Sequence, residues 1–362
     1  MSCRVLAVVG ARPQFIKAAM ISHEIASRCE ITQILVHTGQ HFDHDMSGAF
    51  FEELEIPAPD VNLGISGGTH AEMTGRMLPA LEAVMRETSP DVVLVYGDTN
   101  STLAAALAAA KLCIPIVHAE AGFRTHFLSN PEEVNRICTD HVSSLLFAPV
   151  PDAMKELEHE GLADRSIFTG DLMFDAFRHY SECVDIPHVL ASLGGGTSTI
   201  PGHYYYLTCH RQENSDETTL TEVIRATALL DAPVVYPVHP RVAPLVRSIV
   251  DTGGSSNVIL LDPVGYLESI ALLKGCKAVL TDSGGLQREA FFAQKKCVTL
   301  LPFASANETL SGGRNTLIAP VTAEGILSAL AEPQVIDDAY LPFGDGRAAT
   351  RMVEEILGRF GA

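Results

Sequence analysis

The amino-acid sequence predicts an α/β protein of two Rossmann-like, doubly wound parallel-sheet domains that face each other across a cleft. Three observations carry that expectation. Short apolar runs alternate with helix-length segments from end to end, which is the pattern of parallel sheets covered by helices on both faces. At 362 residues the chain is too long for one ordinary core and suits two domains of roughly 150 to 200 residues. A single glycine-, serine- and threonine-rich stretch, residues 186–202 with Gly194-Gly195-Gly196, divides the apolar runs into two series.

In the first series the strands are expected at 5–9, 31–37, 92–96, 114–118 and 145–148. In the second they are expected at 204–209, 234–239, 258–261, 278–281, 297–301 and 316–319. Each run is four to six apolar residues, or seven at most, bounded by turn residues. The division that follows is a first domain over 1–180, completed by a C-terminal helix at about 345–362, a linker at 181–202, and a second domain over 203–344. In doubly wound sheets, ligands bind outside the carboxyl ends of the strands, so the strand ends are where function is sought.

Hydrophobic residues make up 47% of the chain and charged residues 19%, a globular composition. The net charge of −19 repels nucleic acid and anionic membrane, and neither is expected as a partner. An anionic substrate would need local cations and backbone amides. The apolar run at 5–9 is too short for a signal segment, and the alanine-heavy run at 103–110 is far short of a membrane span. A cytoplasmic location is expected, with the eight cysteines reduced. There is no GxxxxGK[ST], GxGxxG or HExxH pattern. His41, Asp43, His44 and Asp45 resemble a metal cluster on paper but read as a polar loop. Neither a metal nor a nicotinamide cofactor is expected.

Polar residues gather where the strands stop. Gly10-Ala11-Arg12-Pro13-Gln14-Phe15-Ile16-Lys17 follows the first strand. It places Arg12 and Lys17 near a helix N-terminus, where cations are unfavourable unless an anion is bound. Asp98 follows the strand at 92–96 and could simply cap the helix starting near Ser101. Glu120 ends the next strand. Asn130-Pro131-Glu132-Glu133 reads as a capping box with Asn130 as cap and Glu133 reaching back, which leaves Glu132 over. Asp98, Glu120 and Glu132 should converge, and crowded carboxylates raise one another's pKa. In the second half, His210 and Arg211 follow the first strand. Ser283, Gly284 and Gly285 open a helix as an anion cradle, and Glu289 lies one or two turns later, suited to ribose hydroxyls.

The ordered segments GARPQFIKA, VHTGQHFD, VYGDTNST, HAEAGFRT, PEEVNR, CHRQEN, YPVHPR, DPVGYLE, TDSGGLQREA and FGDGRA resemble the non-hydrolysing UDP-N-acetylglucosamine 2-epimerases over almost the whole chain. The resemblance implies a two-domain fold of the GT-B kind, a homodimer, and a cytoplasmic role in surface-polysaccharide precursor synthesis. It places Asp98, Glu120, Glu132 and His210 at the sugar and Arg12 and Lys17 at the active site. Arg211 becomes a further substrate contact, Ser283, Gly284 and Gly285 hold diphosphate, and Glu289 holds ribose. It also implies that the last helix returns to the first domain. Some members respond to their substrate at a second site; Gln40, His41, Arg211 and His239 lie in the motifs that carry this.

The implied chemistry needs no redox cofactor. The hydrogen on carbon 2 is not next to a carbonyl, so UDP is eliminated to a glucal-like intermediate and added back after protonation from the other face. That asks for a stabilised leaving group, and for an acid and a base on opposite faces. The rivals are a hydrolase releasing UDP, a glycosyltransferase of the same fold, and a non-catalytic nucleotide-sugar sensor. Two departures stand out. Ala304-Ser305-Ala306-Asn307-Glu308 replaces a stretch that usually carries an arginine, with Ala306 at that place and Arg314 as a possible substitute; Val264 and Ser269 also replace nucleotide contacts. The eleven residues between Glu120 and Glu132 resemble the branch acting on UDP-2,3-diacetamido-glucuronate. That loop offers only His126, with Arg124 before it, so UDP-N-acetylglucosamine is the expected substrate.

Overall fold

The computed structural model describes residues 2–40, 53–193, 200–253 and 257–361. These form two compact units, one of Met1–Ala176 with Leu341–Ala362 and the other of Phe177–Tyr340.

The first unit holds a seven-stranded sheet of β1 (Cys3–Val9), β2 (Ile31–His37), β3 (Val61–Asn62), β4 (Val92–Tyr96), β5 (Ile116–Ala119), β6 (Leu145–Ala148) and β7 (Ser166–Phe168). Their order is β3-β2-β1-β4-β5-β6-β7, and every pairing is parallel. β4 is buried along its whole length, which is why it reads as an unbroken apolar run. The alanine-rich helix Asn100–Lys111 packs onto the sheet through Ala104, Ala105, Ala106, Ala108 and Ala109, whose small side chains let it lie close. The short edge strands β3 and β7 were not expected: two and three residues long, they are too brief to show a period.

The second unit has six strands, β8 (Tyr205–Thr208), β9 (Val234–Pro237), β10 (Val258–Leu261), β11 (Ala278–Thr281), β12 (Lys296–Thr299) and β13 (Asn315–Leu317). They run β10-β9-β8-β11-β12-β13, again all parallel. Both sheets reverse their winding once, between β1 and β4 and between β8 and β11. Ligand crevices open at such switch points, and the strand ends there carry the residues singled out above.

The division between units differs from the sequence expectation. It falls between Ala176 and Phe177, inside the helix Leu172–Cys183, and the proposed linker at 181–202 lies within the second unit. Tyr180 meets the Tyr266 ring edge-on, Lys274 Nζ donates to the Ser181 carbonyl at 2.9 Å, and the helix Ile186–Leu193 packs on Tyr266–Gly275. Composition there signalled a break that packing overrides. Gly194-Gly195-Gly196 lies outside the described residues. The C-terminal helix Ala348–Phe360 belongs to the first unit and packs on Arg12–Ala26. Its own N-cap position has no side-chain bond; Asp175 Oδ2 accepts from Ala349 N–H at 2.8 Å instead.

Candidate functional site

In the first unit, β1 ends into the helix Arg12–Ala26. Arg12 is half-buried at its first turn, and Lys17 is buried one turn on. Lys17 Nζ pairs with Glu120 Oε2, so this cation already has an acidic partner. Gln14, which the sequence reading passed over, ties the first turn to the next strand. Its Oε1 accepts from the Gly10 and Ala11 N–H groups at 2.8 and 3.1 Å, and its Nε2 donates to the Tyr96 carbonyl at 2.7 Å.

Asp98 does not cap the following helix. Thr99 does, accepting from Thr102 N–H. The Asp98 carboxylate is therefore available for Arg136, which reaches its Oδ2 with Nε and Nη2 at 3.0 and 2.7 Å. Asn135 Nδ2 donates to the Asp98 carbonyl at 2.8 Å. Glu120 has φ +72°, a left-handed conformation uncommon for a non-glycine residue. Gly97, at φ +60°, lies so close that an added Cβ would stand 3.1 Å from Glu120 Oε2 and 3.5 Å from Lys17 Nζ.

The expected capping box is half present. Asn130 Oδ1 accepts from Glu132 N–H at 3.1 Å, but Glu133 turns elsewhere. Its carboxylate accepts from the Thr125 and His126 N–H groups and pairs with Arg136 at 2.8 Å. Burial would raise the Glu133 carboxyl, but those amides and Arg136 outweigh it and hold it below the usual range. Glu132 stands half-buried on the first turn of Pro131–Val142. Mutual crowding of Asp98, Glu120 and Glu132 was expected; instead Glu120 pairs with Lys17, and Asp98 pairs with Arg136, which also holds Glu133.

Under these turns lies a buried charged cluster that sequence reasoning missed. His118 Nδ1 is 2.6 Å from Asp140 Oδ1, and its Nε2 is 2.7 Å from the Gly97 carbonyl oxygen. Asp140 Oδ2 accepts from Gly122 N–H at 3.1 Å and from Arg124 Nη2 at 2.7 Å, and Arg124 also grips Glu160 with two bonds of 2.7 and 2.8 Å.

Gln40 Oε1 accepts from the Ser101 N–H and Oγ at 3.0 and 2.7 Å, which holds the start of the helix after β4. His41, with Asp43, His44 and Asp45, lies outside the described residues. Among the described residues no group of three or more His, Cys, Asp or Glu could hold a metal ion, and no helix is long and apolar enough to cross a membrane.

In the second unit, Asp282 is fully buried, and its Oδ2 accepts from the His210 and Arg211 N–H groups, both at 2.8 Å. Oδ1 makes no hydrogen bond and lies 3.7 Å from His210 Nδ1. His210 stacks on His239, centroids 5.2 Å apart. Burial, opposed by Asp282 and assisted by Arg211 and Arg241, holds the His210 ring below the usual histidine range. For His239 the causes are burial, then His210 and Arg241. The Arg211 guanidinium lies 5.9 Å from the Phe303 ring centroid.

Ser283 caps the helix Gly284–Phe292. A Cβ at Gly284 would stand 3.2 Å from Ser305 Cβ, a tight approach, and one at Gly285 would make ordinary contact with Ser283 Oγ at 3.9 Å. Glu289 is buried on the second turn. The loop that departs from the family pattern is fastened to this helix: Ser305 N–H donates to Gln287 Oε1 at 2.9 Å and Ser305 Oγ to the Gly284 carbonyl at 2.8 Å. Ala306 is buried, and so is Arg314. Arg314, considered above as a substitute for the absent arginine, stacks 3.6 Å from the Phe291 ring centroid and donates to the Phe291 carbonyl. Ser269 Oγ bonds the Tyr206 hydroxyl at 2.9 Å.

The family model described as UDP-N-acetylglucosamine 2-epimerase matches residues 23–357. A UDP-2,3-diacetamido-2,3-dideoxy-D-glucuronate 2-epimerase of Pseudomonas aeruginosa is 43% identical over 97% of this chain and 98% of its own. A UDP-N-acetylglucosamine 2-epimerase homolog of Methanococcus maripaludis is 40% identical over 97% and 98%. Among solved structures, the Methanocaldococcus jannaschii UDP-GlcNAc 2-epimerase in complex with UDP-GlcNAc and UDP superposes with a TM-score of 0.86 at 33% identity, over 98% of this chain and 99% of that one. With these matches across nearly its full length, this chain belongs to the UDP-N-acetylglucosamine 2-epimerase family.

Proposed function

We propose that the protein interconverts UDP-N-acetylglucosamine and its carbon-2 epimer by elimination and re-addition of UDP. The observation that carries this reading is Glu120. A non-glycine residue at φ +72° stores backbone strain of the kind found at functional sites, and its carboxylate is fixed by Lys17 beside the Asp98 turn. In the forward step a carboxylate takes the proton from carbon 2, the carbon 1–oxygen bond breaks, and UDP departs with the electron pair. In the return step UDP attacks carbon 1 while an acid delivers a proton to the opposite face of carbon 2. Asp98, Glu120 and Glu132 supply the acid, the base and the stabilisation of positive charge at carbon 1. His210 acts with these carboxylates at the sugar, Arg12, Lys17, Arg211 and the Ser283–Gly285 helix start serve the leaving diphosphate, and Glu289 the ribose. Gln40 and His239 are candidates for a regulatory role, and a homodimer belongs to the same reading.

A second reading is favoured by the 43% identical relative, a diacetamido-glucuronate substrate. Its extra carboxylate would need a cation. Arg124, the cation nearest in sequence to the loop, is buried on Asp140 and Glu160, which supports the neutral sugar. Turnover in heavy water should place solvent deuterium at carbon 2, and retention of the original hydrogen overturns the elimination route. Side-by-side kinetics decide the substrate. A kcat/KM for the uronate tenfold or more above that for UDP-N-acetylglucosamine refutes the choice; this corresponds to about 1.4 kcal/mol.

A further inference from the structure

His118 sits in β5 with no exposed surface, yet it faces two acceptors. A backbone carbonyl can only accept, and so can an ionised carboxylate. Asp140 Oδ2 already accepts from Arg124 Nη2 at 2.7 Å and from Gly122 N–H at 3.1 Å, the surroundings of an ionised carboxylate. With both partners accepting at 2.6 and 2.7 Å, both ring nitrogens must carry protons. A buried imidazolium is tolerable only when paired; Asp140 pairs it, and Arg124 and Glu160 complete the cluster.

The two bonds join three turns of the candidate site. Nε2 holds Gly97, the residue before Asp98. Nδ1 holds Asp140, on the helix that carries Glu132, Glu133 and Arg136. Through Asp140 Oδ2 the same cluster holds Gly122, two residues after Glu120. We propose that His118 is a positioning residue, doubly protonated at working pH, whose two N–H groups set Asp98 and Glu120 in register with the helix Pro131–Val142. The proposal rests on Asp98 and Glu120 acting at the sugar. It gives His118 no contact with the substrate.

The charged groups around the ring are Asp140 on the helix, Arg124 in the loop after β5, Glu160 with His141 behind it, and the Lys17–Glu120 and Arg136–Asp98 pairs above. A neutral His118 could donate only one bond and would release either Gly97 or Asp140. Asp140→Asn removes the charge that retains the proton. That variant should lose turnover as pH rises, where the wild type does not.

The first test is independent of activity. In wild-type protein carrying 15N-histidine at pH 8.5, ordinary imidazoles, with pKa about 6.5, are neutral. One ring should still show two protonated nitrogens, and that signal should vanish in Asp140→Asn; its absence from the wild type overturns the proposal. The second test is kinetic. His118→Gln, which keeps one donor, should lower kcat on the order of 100-fold, the scale of a misplacement near 1 Å, while the UDP dissociation constant stays within twofold. Unchanged kcat in folded His118→Gln overturns the positioning role. Should that variant not fold, the alkaline loss in Asp140→Asn decides in its place, and a flat profile there overturns the role. Retention of hydrogen at carbon 2 would fail the reaction reading and leave the 15N result standing.

Discussion

Gly97 permits a sharp test of how closely the candidate carboxylates are placed. Gly97→Ala has two consequences, and they can be separated. The residue sits at φ +60°, where a side chain costs roughly 1 to 2 kcal/mol. The added methyl carbon would also stand 3.1 Å from Glu120 Oε2, below ordinary contact, so the carboxylate must give by a few tenths of an ångström. Gly161 supplies the control. It has φ +74°, and an added Cβ would meet nothing within 4 Å, so Gly161→Ala carries the backbone cost alone. For a unit of this size each kcal/mol lowers Tm by about 2 to 4 °C, and both variants should melt roughly 2 to 8 °C below the wild type. Only Gly97→Ala should lose turnover, by about tenfold or more at 25 °C, since small displacements of a reacting group are costly. Differential scanning calorimetry and a nuclear magnetic resonance epimerisation assay on the same preparations give both quantities. Equal kcat in the two variants would refute the idea that the Gly97–Glu120 approach positions chemistry.

Glu120→Gln and His210→Ala should each lower kcat by about 100- to 10,000-fold with unchanged melting; near-normal rates would return both to structural roles. Burial lifts the Asp175 carboxyl to about 6. A raised folded value means the stabilisation is present at low pH and is lost as pH rises from about 4 through 6, by at most about 3 kcal/mol. Asp175→Asn should flatten the melting-versus-pH curve in that window, and an unchanged curve refutes the assignment. Arg314→Ala removes a buried stacked guanidinium and one of the bonds to the Phe291 carbonyl, which keeps the Gln294 N–H at 3.1 Å, so it should cost about 1 to 3 kcal/mol of stability. Titration calorimetry should find UDP affinity unchanged, and a tenfold loss would mean the guanidinium leaves Phe291 to reach the nucleotide.

The central strands were legible because a strand buried on both faces needs an unbroken apolar run, as β4 and β11 have. β3 and β7 were not, since two or three residues carry no period. The candidate carboxylates were legible from their places at strand ends, but their partners were not. Arg136 lies in a segment whose resemblance was noticed, yet its bonds reach Asp98, 38 residues away, and only the folded chain makes that pair. Thr99 and Asp98 are both good caps in sequence, and the choice between them depends on where Arg136 stands. His118 falls inside the expected strand at 114–118, and its partner Asp140, 22 residues on, could not be read from the pattern. Arg314 is the reverse case. A glycine-rich turn could have swung it outward, but the Phe291 ring and carbonyl hold it in the core.

The net charge of −19 opposes any anionic ligand, and in the first unit the acidic groups near the strand ends are paired. Beneath and around the strand ends, the acidic groups Glu120, Asp98, Glu133, Asp140 and Glu160 are met by Lys17, Arg136, Arg124 and His118. The cluster is therefore close to neutral, and charges farther off than about 8 to 10 Å are largely screened at physiological salt. Lys17 was expected to face the substrate, and in this structure it pairs with Glu120. The two roles are compatible, because an ammonium has three donors and a carboxylate occupies one or two of them. A pair of this kind can hold Glu120 ionised until substrate arrives, then share the lysine with an incoming oxygen without leaving either charge bare. Full separation of the buried partners would be the costly alternative. The same fold feature serves both needs, since β4 and β5 are neighbours beside the switch point between β1 and β4, which sets their two turns next to each other.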